Sequence, residues 1–473
     1  FDVDSVTGRA TQIGKINRAG MSFVVHDNVA RVAIGNDDEM NTVVFVSDGN
    51  GKPWRQLPET VTGKAMQPLH ISKDGTTLYS LFSANGGPAQ LVASKLDGSE
   101  RKVLASDDFA SVSGVLWTPH PDSHPYAAVF GVGRPHVEYI GDGHYAQIHQ
   151  ALSRSFPDEF VSFGGISEDG ASILVVAQSD RDPGSIALLD TKAMNLRPLY
   201  RTLPWIDPAK MAKRKPFRFK NAAGVEIDGY ITLPHGKTAK NLPTVLLPHG
   251  GPIFVRDSWF YEPDAQFLAS RGYAVVQVNY RGSSGRGYNF ERSGFGQFGT
   301  GIIQDQIDAI HWAINQGYAD KSRMCIYGGS FGGYSALMTP IRAPGLFKCS
   351  VDYAGVSDYS IEFNRSDTRQ YKAGRWYFDH AVGTDLATVK AMSPIFHLDK
   401  FNIPVLIVHG EDDRRVPIQN ATELRAALKK ANKPYEWLVR PKEGHGFYSE
   451  ANRADMYKTM EAFLAKYIGK TAQ

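Results

Sequence analysis

The hydrophobic rhythm of the chain changes near residue 200. Before that point apolar residues come in short β-rich runs broken by Asp, Gly and Asn, with no sustained helical spacing. One unit recurs: an apolar run, a turn containing Asp, then polar residues leading to another hydrophobe. It is read in FDVDSVTGRATQI from Phe1, VFVSDGNGKPWRQL from Val44, LVASKLDGSERKVL from Leu91 and IALLDTKAMNLRPL from Ile186, and weakly in VEYIGDG from Val137. The turn aspartates Asp4, Asp48, Asp97, Asp142 and Asp190 are 44, 49, 45 and 48 residues apart. Short strands repeating with a period in the forties are what four-stranded propeller blades produce. A second marker, a tight Asp-Gly turn before a strand, occurs in ISKDGTTLYSLF from Ile71 and ISEDGASILVVA from Ile166. A β-sandwich with accidental spacing is the rival reading. The repeat predicts about four to five blades over residues 1–205. Phe1 falls in the outer strand of a blade, so the pattern predicts a longer chain, with two or three further blades if the ring has about seven.

Beyond a segment with three prolines and a basic run, RTLPWIDPAKMAKRKPF (Arg201 to Phe217), apolar strands alternate with helical stretches. TVLLPHG (from Thr244), YAVVQVNY (from Tyr273), RMCIYGG (from Arg323) and PVLIVHG (from Pro404) read as strands ending in Gly, Asn or His. QDQIDAIHWAINQ (from Gln304) and NATELRAALKKAN (from Asn420) have helical spacing. This alternation predicts an α/β domain over residues 206–473, built on a mainly parallel sheet with helices on both faces. Sites in such sheets gather at the carboxyl ends of the strands.

Composition narrows the picture. With 42% hydrophobic and 21% charged residues and a net charge of +3, the chain reads as globular, without the basic footprint of a nucleic-acid binder. KMAKRK (Lys210 to Lys215) reads as a solvated linker, and no apolar run is long enough to span a membrane. Cys325 and Cys349 lie in neighbouring apolar runs and are expected to be two buried free thiols. So few cysteines fit the cytoplasm better than the periplasm, although a lost amino terminus could have carried an export signal.

Three motifs carry chemistry. Gly328-Gly329-Ser330-Phe331-Gly332 fits the G-x-S-x-G nucleophile elbow, a strained strand-to-helix turn that needs glycines because neighbouring chains pack close. MCIY before it and YSALM after it supply the strand and the helix. Downstream, PVLIVHGEDDRRVP offers Asp412 and Asp413 in a loop after a strand, and RPKEGHGF offers His445 between two glycines. The order Ser, acid, His is that of α/β hydrolases. Taken singly, the aspartate could be a helix cap and the histidine an ordinary loop residue.

GGSFGGY, HGEDDRRVP and EGHGF, together with HGGP (from His249) and NYRGSSGRG (from Asn279), resemble the signatures of the prolyl oligopeptidase family of serine peptidases. The chain is most similar to its acylaminoacyl and dipeptidyl peptidase branch. The resemblance implies an α/β-hydrolase domain after a β-propeller, and it selects Asp413 over Asp412. It implies the backbone N–H groups of Phe331 and Gly251 as the oxyanion hole. His249 stands where prolyl oligopeptidases and dipeptidyl peptidases place a tyrosine, and it is expected to be structural. The resemblance also implies a specificity pocket drawing on Phe331, Val356, Tyr359 and Val416, which would favour an apolar or aromatic side chain; Val356 and Tyr359 as plain core is the alternative. Arg415 matches a family arginine and would either contact the substrate or brace its loop.

The expected partners are short peptides, with no nucleic acid and no membrane; a second copy of the chain or a missing propeller segment could also associate. No cofactor and no metal is expected, since the 14 histidines show no HExxH spacing. RGSSGRG lacks the spacing of a phosphate-binding loop. Met456, Met460 and Phe463 read as core. An esterase of the same fold, a carboxypeptidase using arginines near the site, and a binding module with a vestigial hydrolase are the competing functions.

Overall fold

The computed structural model describes residues 1–49, 52–119 and 123–469, so Asn50 and Gly51 of the second repeat lie outside the described residues. The chain divides into two compact units. The first comprises Phe1–Ala177, Gly184–Thr202 and Gly285–Asn289; the second comprises Gln178–Pro183, Leu203–Ser284 and Phe290–Gln473.

The first unit is a succession of propeller-type blades. A two-stranded hairpin (Asp2–Val3 with Ala10–Thr11) precedes four-stranded sheets over 22–56 and 65–105, a three-stranded sheet over 112–139 and a four-stranded sheet over 160–201. Cores lie between neighbouring sheets. Val32, Val44 and Val46 of one meet Met66, Ile71 and Leu78 of the next, and Leu91 and Ala105 meet Val112, Ala128 and Phe130 in turn.

The repeat marker has a local cause. Asp4 Oδ1 accepts from the N–H groups of Val6 and Thr7, both at 2.9 Å. Asp97 Oδ1 accepts from Ser99 N–H at 2.9 Å, and Asp190 Oδ1 from Lys192 and Ala193 N–H at 2.9 Å. Each aspartate closes an Asx turn before the last strand of its sheet. The Asp-Gly markers close the first hairpin instead, with Gly75 at φ 73° and Gly170 at φ 68°. The weak repeat at Val137 marks the sheet that lacks a fourth strand. The helix His144–Ser155 follows Asp142 there, and buries Ile148 and Leu152 against Val161, Ile173 and Val175.

The second unit is an α/β-hydrolase fold. Its eight strands are β1 (Arg214–Lys220), β2 (Glu226–Thr232), β3 (Leu242–Leu246), β4 (Ala274–Asn279), β5 (Ala319–Gly329), β6 (Cys349–Tyr353), β7 (Val405–Gly410) and β8 (Tyr435–Arg440). They lie in the order β1-β2-β4-β3-β5-β6-β7-β8. β1, β2 and β4 pair antiparallel, and every pairing from β4 through β8 is parallel. The principal helices are α1 (Pro263–Ser270), α2 (Gly301–Asn315), α3 (Phe331–Arg342), α4 (Tyr359–Arg365), α5 (Lys372–Ala381), α6 (Gln419–Lys430) and α7 (Glu450–Ile468).

Alternate strand residues face opposite layers. Leu246, Val276, Ile326 and Ile407 pack with Ile303 and Ile310 of α2, Leu337 of α3 and Leu424 of α6. Val245, Val275, Tyr327, Val351 and Leu406 pack with Leu268 of α1 and with Met456, Met460 and Phe463 of α7. Both faces are covered, which is why the central strands read as unbroken apolar runs.

Two expectations are corrected. Cys325 and Cys349 are not free thiols. They stand opposite each other in the parallel register of β5 and β6 and form a disulfide, with Cα atoms 4.7 Å apart. The register that brings them together is a property of the folded sheet. Nor is the basic run wholly a solvated linker. Arg214 opens β1 and is buried, its N–H donating to Asp180 Oδ2 at 2.7 Å and its guanidinium to the Phe260 carbonyl at 3.1 Å, over the Tyr230 ring.

Candidate active site

The elbow is set by close packing. Ser330 joins β5 to α3 with φ 58° and ψ −120°, a left-handed conformation that costs a non-glycine residue roughly 1–3 kcal/mol. It is clamped there: Ser330 N–H donates to the Tyr353 carbonyl at 2.8 Å, and Ser330 C=O accepts from Tyr334 N–H at 3.0 Å. A Cβ at Gly328 would sit 2.5 Å from the Gly332 backbone, and one at Gly332 would collide with the Pro248 carbonyl. Only glycine leaves room for that turn.

The acid and the base meet. After β7, Asp413 is buried, and its Oδ2 accepts from His445 Nδ1 at 2.8 Å. Its Oδ1 accepts from the N–H groups of Arg415 and Val416, both at 2.9 Å, so the carboxylate is aimed as well as desolvated. Asp412 is exposed and lines the cavity that Ser330 and His445 also border.

The loop bearing His445 is held by Glu443. Burial disfavours that carboxylate, but donation from Asn452 and from the N–H groups of Tyr448 and Ser449 outweighs it and keeps its pKa below the usual value. Ser330 and His445 line one cavity, and among the described residues no hydrogen bond joins them. Such contacts are commonly long before substrate binds.

That cavity has a volume of about 910 Å³. Val356, Tyr359, Arg415 and Val416 all border it, as do Phe331 and Gly251. Phe331 is the first residue of α3, so its N–H has no acceptor inside the helix. Gly251 has φ 120°, and at the neighbouring Gly250 a Cβ would approach Ser330 Cβ to 3.4 Å. The loop therefore lies against the serine. His249 braces it. Its ring stacks on Tyr280 at 4.2 Å and is 3.0 Å from Ser283 Oγ, and burial lowers its pKa. Arg415 Nε is paired with Asp367 at 2.7 Å, which favours the bracing role.

Several cavity residues escaped the sequence reading: Phe298, Glu362, Tyr377, Phe378 and Tyr448. Tyr377 and Phe378 come from α5, and Tyr377 Oη donates to the Gly251 carbonyl at 3.4 Å. Nothing local distinguishes these aromatics from core. Glu362 sits in SDYSIEFNR, where it reads as an ordinary helix-surface acid, yet it is only 2% exposed. Behind the elbow, burial raises the Asp352 carboxyl to about 7, although it accepts from Gly355 N–H. Among the described residues no group of three or more His, Cys, Asp or Glu side chains could hold a metal.

Comparison with known proteins groups this chain with peptidases. The profile of the prolyl oligopeptidase family matches residues 259–471. Dipeptidyl aminopeptidase BIII of Pseudoxanthomonas mexicana is 30% identical over 497 residues, covering 100% of this chain and 70% of that protein. Dipeptidyl peptidase family member 6 of Caenorhabditis elegans is 26% identical over 434 residues, covering 86% of this chain and 58% of that protein. A puromycin-hydrolyzing peptidase of Mycobacterium tuberculosis shares the fold with a TM-score of 0.74 at 22% identity, over 93% of this chain and 68% of that one.

Proposed function

The chain belongs to the prolyl oligopeptidase family of serine peptidases, and from that premise we propose that it hydrolyses short peptides through an acyl-enzyme on Ser330. The observation that carries the reading is the Asp413–His445 pair, closed at 2.8 Å beside a serine held in the left-handed elbow conformation. His445 takes the Ser330 proton as the hydroxyl attacks the scissile carbonyl, then gives it to the leaving amine. Asp413 holds the Nδ1–H tautomer and stabilises the imidazolium. The N–H groups of Phe331 and Gly251 receive the oxyanion, each worth about 10²–10³ in rate. Val356, Tyr359 and Val416 receive the acyl-side side chain, and Arg415 holds the rim through Asp367.

We take residues 206–473 as the catalytic domain and 1–205 as a blade domain that limits substrates to short peptides. The branch is of the acylaminoacyl, dipeptidyl or oligopeptidase kind. It is tested by mass spectrometry of the products from one peptide library with free and with blocked termini. Short peptides cut near the amino terminus support the reading. Exclusive removal of carboxyl-terminal residues would replace it with the carboxypeptidase mode, and hydrolysis of p-nitrophenyl esters without any peptide cleavage would replace it with an esterase.

A further inference from the structure

The cavity beside Ser330 is walled by Phe298, Phe331, Val356, Tyr359, Phe378 and Val416, and of the charged residues that also line it (Glu362, Asp367, Asp412, Arg414, Arg415, Lys442 and His445) Glu362 alone is buried. Glu362 follows Tyr359 by three residues on α4, so both side chains lie on one side of the helix. Its Oε1 accepts from Asn420 Nδ2 at 2.8 Å. The charged side chains that act on it most strongly are acidic: Asp413 and Asp367. Arg415 is committed to Asp367, and among the described residues no Lys, Arg or His pairs with Glu362.

A carboxyl group taken out of water without a cation is costly, and evolution usually supplies a partner or removes the charge. Here burial, reinforced by Asp413 and Asp367 and only partly offset by Asn420, pushes the group up to about 8. The position opens onto the substrate cavity, so a counter-ion can arrive with the substrate.

We propose that Glu362 determines specificity at this site by admitting a peptide with Lys or Arg on the acyl side of the cleaved bond. The methylene stem of such a side chain lies along the aromatic wall while its cationic tip reaches the carboxylate. Apolar side chains are accommodated with Glu362 in its protonated, neutral form, so the pocket takes both classes. The inference rests on the peptidase reading above and adds the substrate class.

A competing, purely structural role is that Glu362 only steadies Asn420, whose Oδ1 accepts from the N–H groups of Ser357 and Asp358 at 3.0 and 3.1 Å. Glu362→Gln separates the two, because glutamine keeps the acceptor oxygen towards Asn420 and loses the charge. The test measures kcat/KM for matched fluorogenic peptides ending in Lys, Arg, Phe or Leu before the cleaved bond. The wild-type protein is expected to cleave the Lys and Arg substrates within about ten-fold of the Phe substrate. In Glu362→Gln the Lys-to-Phe ratio is expected to fall by about 10²–10³, as for a charge deprived of its buried partner.

Benzamidine supplies a second measurement: it should compete with the Phe substrate in the wild type, with a Ki at least ten-fold weaker in the variant. An unchanged ratio with an unchanged Ki overturns the proposal. If the variant does not fold, the wild type still decides, since cleavage of the Phe peptide with none of the Lys or Arg peptides overturns it. If no peptide is cleaved and a fluorophosphonate fails to label Ser330, the peptidase reading itself falls, and this inference with it.

Discussion

Two sets of carboxylates, one in each unit, are used in opposite ways. In the blade unit Asp4, Asp74, Asp97 and Asp169 sit at solvent-exposed turns, where hydrogen bonds from nearby hydroxyl and N–H groups lower their pKa values. In the hydrolase unit Asp352 and Glu362 are buried and Glu262 and Asp264 half-buried, and desolvation raises all four. The first set shapes the backbone locally and keeps its charge in water. The second is held away from water by tertiary packing, and such perturbed groups concentrate near functional sites. Glu362, on the cavity wall beside Ser330, is of that kind.

The contrast is broken most severely at the elbow. Ser330→Ala is expected to lower kcat by about 10⁴–10⁶, and Asp413→Asn by about 10⁴, while the neighbouring Asp412→Asn changes it by less than about ten-fold. Steady-state kinetics on one peptide substrate checks all three, and equal losses for Asp412 and Asp413 would overturn the assignment of the acid. Melting temperatures should move little, because Ser330→Ala removes no core volume.

Next in size is the disulfide, which belongs to the hydrolase unit alone. Replacing Cys325 and Cys349 together by Ala should destabilise that unit by about 2–4 kcal/mol, given a closed loop of 24 residues. Calorimetry should show a lowered transition for that unit and none for the blades; a shift below about 0.5 kcal/mol would mean that the bond constrains little.

The smallest effect concerns pH, and its sign differs between the units. His149, buried between Tyr139 and Val161, has its pKa lowered by burial. The folded blade unit therefore binds this proton less readily than the unfolded chain. Its contribution is present above about pH 6.5 and is lost as pH falls. Asp352, raised to about 7, behaves in the reverse sense: its contribution is complete below about pH 4 and is lost as pH rises through 7. Relative to His149→Phe and Asp352→Asn variants, acidification from pH 7 to pH 5 should thus weaken the blades and strengthen the hydrolase unit. The slopes should reach at most about 1.4 kcal/mol per pH unit in unfolding monitored across that range. Slopes of the same sign would refute the contrast.

The blade repeat could be read from the chain because Asp closes its turns through its own neighbours, two or three residues away. The parallel strands could be read because burial on both faces leaves them apolar, and the elbow because only glycine tolerates its crowding. The candidate nucleophile, acid and base each stood at the end of such a strand. What could not be read depends on segments distant in sequence. β1 was missed because an edge strand that mixes Lys, Arg and Phe shows no clean alternation, and β2 because Asp228 and Gly229 interrupt its apolar residues. The disulfide needed the register of β5 against β6, and Arg214 needed Asp180, 34 residues away.

Short-range hydrogen bonding and steric exclusion act within a few residues, so local sequence was enough to specify the Asx turns, the glycine-flanked serine and the order of serine, acid and base. Desolvation and counter-charge are collective properties of everything packed around a group. Tertiary structure alone therefore decided that Cys325 and Cys349 are joined, and that an ordinary-looking Glu362 is buried in the wall of the cavity.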